Sequence, residues 1–253
     1  IDDVATRGEE LNKGFRTPLN EEKENAANKP LIKTNGKIYA LPVTIGSWGW
    51  FEALMSVVRN QEKEDKQKDI DKELGKLIED YISEKLDERG IIHCCGNYLS
   101  PEKGEADLLV ETTKGIMLFE MKKKSLTRKA KAGNEFKIVA DLLGSLIDSQ
   151  AQCFRTSHIM TKDGYVDLDD GNGNVIKVEK RDRTAECISI CLGSFGPLQD
   201  RILIKSIMDE MCDNPLTAKY DGKDKHIIKD VKKFNKDMQK WLPYLNEERV
   251  NGD

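Results

Sequence analysis

EADLLVETTKGIMLFEMKKK, residues 105–124, contains two apolar runs joined by a short polar turn. Runs of this length on either side of a glycine-containing turn predict two antiparallel strands, near 106–111 and 116–122. Each run carries a carboxylate where a buried strand usually has another apolar residue: Asp107 in the first and Glu120 in the second. The stretch therefore predicts a β-hairpin with two acidic side chains at positions that a purely structural strand would make apolar.

The register of this hairpin decides whether the two acids meet. If the turn makes Glu111 face Ile116, the same register places Asp107 opposite Glu120, with Cβ atoms roughly 5 Å apart. Lys122 lies two residues beyond Glu120, so strand alternation puts it on the same face. A turn one residue longer or shorter would make the pairing diagonal. As drawn, two carboxylates and an ammonium converge at one point of the sheet.

Two carboxylates at that distance raise one another's pKa unless a cation lies between them. Mg²⁺ is typically held by one or two carboxylates, completed by waters and substrate phosphate oxygens. The three side chains therefore have the parts for metal-assisted attack of water on a phosphodiester, with Lys122 orienting the water or stabilising the developing charge. The alternative is a salt-bridged strand edge with no chemistry.

Asp107, a hairpin and the E-M-K sequence at 120–122 resemble the core of the PD-(D/E)XK nuclease superfamily, from about residue 74 to 155. Ala106 stands where the motif's name has proline. The resemblance implies a restriction-endonuclease-like α/β fold, with a central mixed sheet flanked by helices. It also implies Mg²⁺- or Mn²⁺-dependent hydrolysis of DNA, or less often RNA, in restriction, repair or phage defence. An endonuclease is favoured over an exonuclease.

The resemblance also supplies further candidate residues for the site. Glu79 follows Gly75 in a G-x-x-x-E arrangement on the helix before the sheet, and would be a third metal ligand with a catalytic role. Glu84 and Glu73 are alternatives, and a solvated helix glutamate paired with lysine is the structural explanation. Gln150, in the next helix, resembles a glutamine that binds a phosphate, a metal-bound water or a catalytic carboxylate; a buried, satisfied glutamine is the alternative.

Basic residues directly follow the motif and are candidates for contacts with the phosphate backbone. Arg155 is interpreted as a surface charge, with a phosphate clamp as the alternative. A solvated surface is the structural explanation for the basic run. The candidate nucleic-acid-binding residues are Lys123, Lys124, Arg128, Lys129 and Lys131.

Periodicity along the chain predicts its organisation. Apolar residues at helical spacing, among them Leu77 and Tyr81, predict an amphipathic helix over 70–89, and a second long helix is predicted over 136–158. We divide the sequence into segments by composition and pattern. They are a polar N-terminal extension (1–36), an apolar lead-in with a charged connector (37–69) and a nuclease-like domain (70–245).

Composition limits the class of protein. The 253 residues carry a net charge of −4, so DNA binding has to come from a local basic patch. No apolar run reaches the ~18 residues of a membrane span. The six cysteines form no C-x-x-C pair and predict reduced thiols in a cytoplasmic protein. A homodimer or a second chain is expected as partner. The alternative functions are a degenerate nuclease fold that binds nucleic acid or protein without cleavage, and a structural module with a salt-bridge network.

Overall fold

The computed structural model divides the chain into two units, Ile1–Leu74 with Thr127–Ile138 and Gly75–Leu126 with Val139–Asp253. Within them, the residues that the structure describes are 4–11, 29–42, 49–51, 53–55, 57–58, 64–101, 103–131, 133–193, 195–214, 217, 231–233, 235–236, 238–239 and 242–244.

The first unit contains a three-stranded sheet. Strand β1 (Ala5–Arg7) pairs parallel with β2 (Leu31–Thr34), which forms an antiparallel hairpin with β3 (Lys37–Ala40). Both turn residues, Asn35 and Gly36, have positive φ, as two-residue hairpin turns require. The predicted polar extension thus contributes two strands, and its predicted boundary falls inside this turn. Residues 1–3 and 12–28 of that extension lie outside the described residues.

The second unit contains a six-stranded mixed sheet in the order β8-β7-β4-β5-β6-β9. Its pairings are antiparallel except for the parallel pair β6–β9. The mixed α/β class that the sequence predicted is therefore confirmed. The strands are β4 (His93–Tyr98), β5 (Glu105–Glu111), β6 (Gly115–Lys122), β7 (Tyr165–Asp169), β8 (Val175–Glu179) and β9 (Thr184–Cys191).

Helices flank the strands along the chain. They are α1 (Glu64–Asp87), α2 (Arg128–Lys131), α3 (Glu135–Leu142), a π-helix (Leu143–Ile147), α4 (Asp148–Asp163), a 3₁₀-helix (Gly196–Gln199) and α5 (Arg201–Asp213). The predicted boundary at 69/70 lies inside α1. The single helix predicted over 136–158 is interrupted by the π-helix. In the described part of the chain, no helix combines the length and apolar character needed to cross a bilayer.

The two faces of the large sheet pack against different helices. Helix α4 covers one face, and the buried side chains there come from α4 and five strands: Tyr98, Ala106, Leu109, Ile116, Leu118, Cys153, Ile159, Met160, Val166, Leu168 and Val178. The other face packs against α1 through Leu108, Val110 and Met121, with Ile78, Ile82 and Leu86 from the helix. Strand β6 is therefore covered on both sides, in agreement with the expected sheet flanked by helices.

Helix α1 buries a narrower stripe than its sequence predicted. Leu77 and Tyr81 were expected in the apolar stripe, but 63% and 56% of their surfaces are exposed. The sheet packs against the helix face that carries Ile78 and Ile82, and Leu77 and Tyr81 lie to one side of that face. The helix ends at Asp87, two residues before the predicted end at 89. Gly90 then has a positive φ, and the Ile91 amide donates back to Leu86 O.

The hairpin between β5 and β6 has the predicted register. Glu111 pairs with Ile116, and the same register holds as far as Leu108. Thr112 closes the turn, because its Oγ1 accepts a hydrogen bond from Gly115 N at 2.9 Å. The hairpin that decides the fold is thus fixed by its own turn chemistry and by the two-sided burial of β6.

Candidate active site

A β-bulge sits at the start of β5. The pairing with β4 shifts register between Cys94 and Gly96, so Asp107 and Leu108 together oppose the single residue Cys95. A bulge bends its strand and changes the direction of the side chains beside it. The sequence placed Asp107 in a regular ladder; the structure places it at an irregularity.

The Asp107 carboxylate is anchored to the neighbouring strand. The β5–β6 ladder ends at the pair Leu108–Phe119. Beyond that pair, Asp107 Oδ2 accepts a hydrogen bond from Met121 N at 2.7 Å. In a continued ladder a backbone carbonyl would accept a bond of this kind. Here the Asp107 carboxylate accepts it instead and is held beside Glu120.

Glu120 is the least satisfied acid of the site. It lies two residues after Leu118, on the sheet face that α4 covers, and only 1% of its surface is exposed. Its Oε2 atom is buried and has no hydrogen-bond partner among the described residues. Burial, followed by the Asp107 charge, raises the pKa of Glu120 to about 10. Without a cation, Glu120 therefore keeps a proton within hydrogen-bonding reach of Asp107.

Lys122 lies between the carboxyl groups of Glu120 and Asp148. Its position on the strand predicted only the first of these neighbours. Its Nζ is 3.9 Å from Glu120 Oε2 and 3.5 Å from Asp148 Oδ2. Both distances exceed a normal hydrogen bond, so the ammonium lies beside both carboxyl groups without a hydrogen bond to either. Sequence reasoning missed Asp148. The available signal was an acidic residue at the end of an apolar helical run, two positions before Gln150.

Gln150 reaches the site through Ser189. Its Nε2 donates to Ser189 Oγ at 2.6 Å, and the Ser149 hydroxyl also contacts that oxygen. The parallel β6–β9 register places Ser189 directly beside Glu120. Gln150 is therefore a satisfied glutamine that also fixes the strand next to the buried acid. Ser189 was not predicted, because its place depends on a strand pairing about 70 residues apart in sequence.

Glu79, on α1, has a pKa that is affected by the charged groups of the site. It is half-buried, and burial, then Asp107 and two other acids, raise its pKa, while Lys122 lowers it. The alternatives Glu73 and Glu84 are both exposed. The choice of Glu79 over these two therefore agrees with its surroundings.

The predicted set of three metal ligands is not assembled. Among the described residues, no group of three or more His, Cys, Asp or Glu side chains is positioned to hold a metal ion. The physical reason is that α1, which carries Glu79, packs on the opposite sheet face from α4, whereas Glu120 faces α4. Asp107 and Glu120 remain as a pair, and their unsatisfied, buried oxygen is a feature that a bound divalent cation would relieve.

The basic residues differ in their surroundings. Lys123 is half-buried. Lys124 Nζ lies 3.4 Å from Asp141 Oδ1 and 3.4 Å from Ala140 O, so this side chain is engaged within the protein rather than held open for phosphate. The other three belong to the first unit, where Lys129 and Lys131 are exposed and the side chain of Arg128 lies outside the described residues.

Arg155 is buried, contrary to the surface position that the sequence predicted. Only 8% of its surface is exposed. Its guanidinium lies over the Tyr98 ring, 5.2 Å from the centroid, and Nη1 donates to Lys103 O at 3.2 Å. An aromatic face and a backbone carbonyl from distant parts of the chain thus replace the water that an exposed arginine would bind.

The arrangement places an ammonium beside two carboxyl groups and excludes bulk water from one of them. Comparison of the chain with protein-family models, curated proteins and solved structures gives no match. The interpretation of the site therefore depends on its own geometry.

Proposed function

We propose that this chain is a metal-dependent hydrolase of phosphodiester bonds, acting on DNA through a restriction-endonuclease-like fold. The observation that carries the proposal is the buried Glu120 carboxyl, with an unpartnered oxygen, beside Asp107 and 3.9 Å from the Lys122 ammonium. A stable core has no reason to desolvate an acid next to a second acid, because this placement costs several kcal/mol. A cation-binding function explains that cost.

Asp107 and Glu120 would hold Mg²⁺ or Mn²⁺. Their oxygens are the hard donors that these ions prefer, and the count of two fits a site completed by water and phosphate oxygens. The ion would supply Lewis-acid chemistry, polarising the phosphoryl group and making water a better nucleophile.

The chain's own residues have separate tasks. Asp107, fixed by its bond to Met121 N, keeps its carboxylate in place during turnover. Glu120 gives up its proton when the site is loaded, since the protonated acid is a poor ligand. Lys122 Nζ donates hydrogen bonds to the attacking water or to a non-bridging phosphate oxygen, where negative charge develops. Gln150 and Ser189 keep β9 against Glu120 and help to exclude water from it.

DNA is the proposed substrate, with RNA as the related possibility. A net charge of −4 means that phosphate contacts have to be local, and the exposed Lys129 and Lys131 are their best candidates. One site cuts one strand at a time. A homodimer, or association with another chain, is therefore part of the proposal for cutting a duplex.

One observation favours a second candidate function, a nuclease-like module that binds nucleic acid or a partner protein without cleavage. The described residues do not form a three-ligand metal group. A module of this kind would keep the hairpin, the lysine and the basic residues but would not hydrolyse the substrate. The two functions differ in whether added metal produces cut DNA.

The test is cleavage of supercoiled plasmid, double- and single-stranded oligonucleotides, and RNA with Mg²⁺, Mn²⁺ or EDTA. Wild-type protein is expected to cut with metal and not with EDTA. Asp107→Asn and Lys122→Met should each lower the rate by about 10²-fold or more while the fold persists. Lys114→Met, an exposed lysine in the turn of the same hairpin, is the control and should cut like wild type. DNA binding without cleavage in every metal would favour the second function.

A further inference from the structure

We propose that Asp148 is a positioning residue that holds the Lys122 ammonium in the site. The proposal rests on the function proposed above, because it assigns Lys122 a partner during that reaction. In helix α4 the family resemblance supplied Gln150 as a candidate residue and did not supply Asp148. Asp148 enters the site because helix α4 begins there, next to the ends of β6 and β9.

The distances make Asp148 the nearer of the two carboxylates. Lys122 Nζ lies 3.5 Å from Asp148 Oδ2 and 3.9 Å from Glu120 Oε2. The Lys122 side chain is 20% exposed and that of Asp148 31% exposed, so the pair lies at the mouth of the site rather than in open solvent. Charge pairs with partial burial are screened less by salt than fully exposed ones.

Asp148 is itself held in place. Gln152, one helical turn later, donates its Nε2 to Asp148 Oδ2 at 2.7 Å. Gln152 therefore fixes the orientation of the Asp148 carboxylate. The flexible four-carbon side chain of Lys122 is thus paired with a rigid partner.

The need for a second acid follows from the chemistry of the first. A cation bound by Asp107 and Glu120 would offset the charge of both carboxylates, so neither would attract the Lys122 ammonium. With that attraction offset, the ammonium would be repelled by the cation and would turn toward solvent. Asp148 remains as the carboxylate that opposes this movement. The Lys122 ammonium, which has three donors, can then pair with Asp148 and still donate to water or phosphate.

The experiment compares Asp148→Asn with Asp163→Asn, which removes the same charge at the exposed end of the same helix. In steady-state cleavage assays, D148N is expected to lower kcat by about tenfold to hundredfold with little change in KM. Its Mg²⁺ affinity, measured by calorimetry, should remain that of wild type because Asp107 and Glu120 are untouched. D163N should match wild type throughout. A wild-type kcat in D148N, or a loss explained by weaker Mg²⁺ binding, would overturn the proposal.

A double-mutant cycle separates positioning from a general structural effect. If Asp148 acts through Lys122, adding D148N to Lys122→Met should cause no further loss of rate. Independent losses that multiply would contradict the proposal.

A readout without cleavage keeps the proposal distinct from the proposed function. Acetylation of Lys122 by an N-hydroxysuccinimide ester, followed by mass spectrometry in metal-free buffer, should be several-fold faster in D148N than in wild type or D163N. Equal rates overturn the pairing whatever the enzyme activity. Faster labelling in a protein that cuts no nucleic acid supports the pairing and refutes the hydrolase.

Discussion

Glu120→Gln tests the site through stability, before any substrate is known. The substitution keeps the shape of a protonated glutamate and removes its ability to ionise. The side chain is 1% exposed, and its Oε2 has no hydrogen-bond donor among the described residues. Ionised Glu120 is therefore poorly solvated in the folded protein, and we expect the glutamine variant to be more stable than wild type at neutral pH without metal.

The expected size follows from the pKa of Glu120. Burial and the Asp107 charge raise it from 4.5 to about 10, so the folded protein keeps a proton that the unfolded chain releases above pH 4.5. For this group, a raised folded-state pKa gives stability that is complete below the unfolded pKa and is lost as pH rises toward the folded pKa. The loss is about 1.4 kcal/mol per pH unit. Glutamine does not titrate, so the stability gap should be near zero at about pH 4.5 and about 3 kcal/mol at pH 7.

The assay is urea unfolding in EDTA at four pH values between about 5 and 8, with Glu186→Gln as control. Glu186 is exposed on the adjacent strand β9, so its variant should show no growing gap. Mg²⁺ at a hundredfold excess over its Kd should stabilise wild type by about 2.7 kcal/mol and leave the glutamine variant nearly unchanged. A gap that does not change with pH, or equal stabilisation of both proteins by Mg²⁺, would refute the reasoning.

Three further predictions concern other parts of the chain. Lys129→Glu combined with Lys131→Glu should weaken DNA binding and reduce the slope of log affinity against log salt by about two, measured by fluorescence anisotropy; an unchanged slope would show that these lysines only solvate the surface. Gly75→Ala should stabilise the protein by about 0.5–1 kcal/mol, because the position is helical and open. Gly104→Ala should destabilise it by roughly 1–3 kcal/mol, because φ is +157° and a Cβ would collide with the Arg155 guanidinium. Thermal unfolding that reverses this order would contradict both assignments.

The part of the site that the sequence predicts is the part that is local in the chain. The β5–β6 hairpin has a four-residue turn with its own side-chain bonds, so alternation alone gives the register and brings Asp107, Glu120 and Lys122 together. Helix periodicity likewise indicates α1, and the G-x-x-x-E resemblance points to Glu79 on that helix. In each case the interacting residues are within one or two adjacent elements.

The remaining features depend on packing between distant segments. Ser189 reaches Glu120 only through the parallel β6–β9 pairing, which no local pattern encodes. Arginine side chains are usually exposed, and the burial of Arg155 depends on Tyr98 in another element. The bulge at Asp107 adds one residue to β5 opposite β4. The sequence pattern of β5 gives no sign of this extra residue.

At the π-helix Leu143–Ile147, the number of residues in the turn sets the orientation of the following helix relative to the preceding one. The Asp148 amide donates to Leu143 O, five residues back, so this turn holds one residue more than an α-helical turn. Each helical residue advances the side chains by about 100°. Deleting any one residue here would restore a continuous α-helix and rotate α4 by about that angle relative to α3. Because Asp148 is the first residue of α4 and turns with it, α4 could keep its apolar face and Asp148 in place only if Asp141 turned away from Lys124. The number of residues in this turn, more than their identity, therefore determines whether Asp141 and Asp148 both reach their lysines.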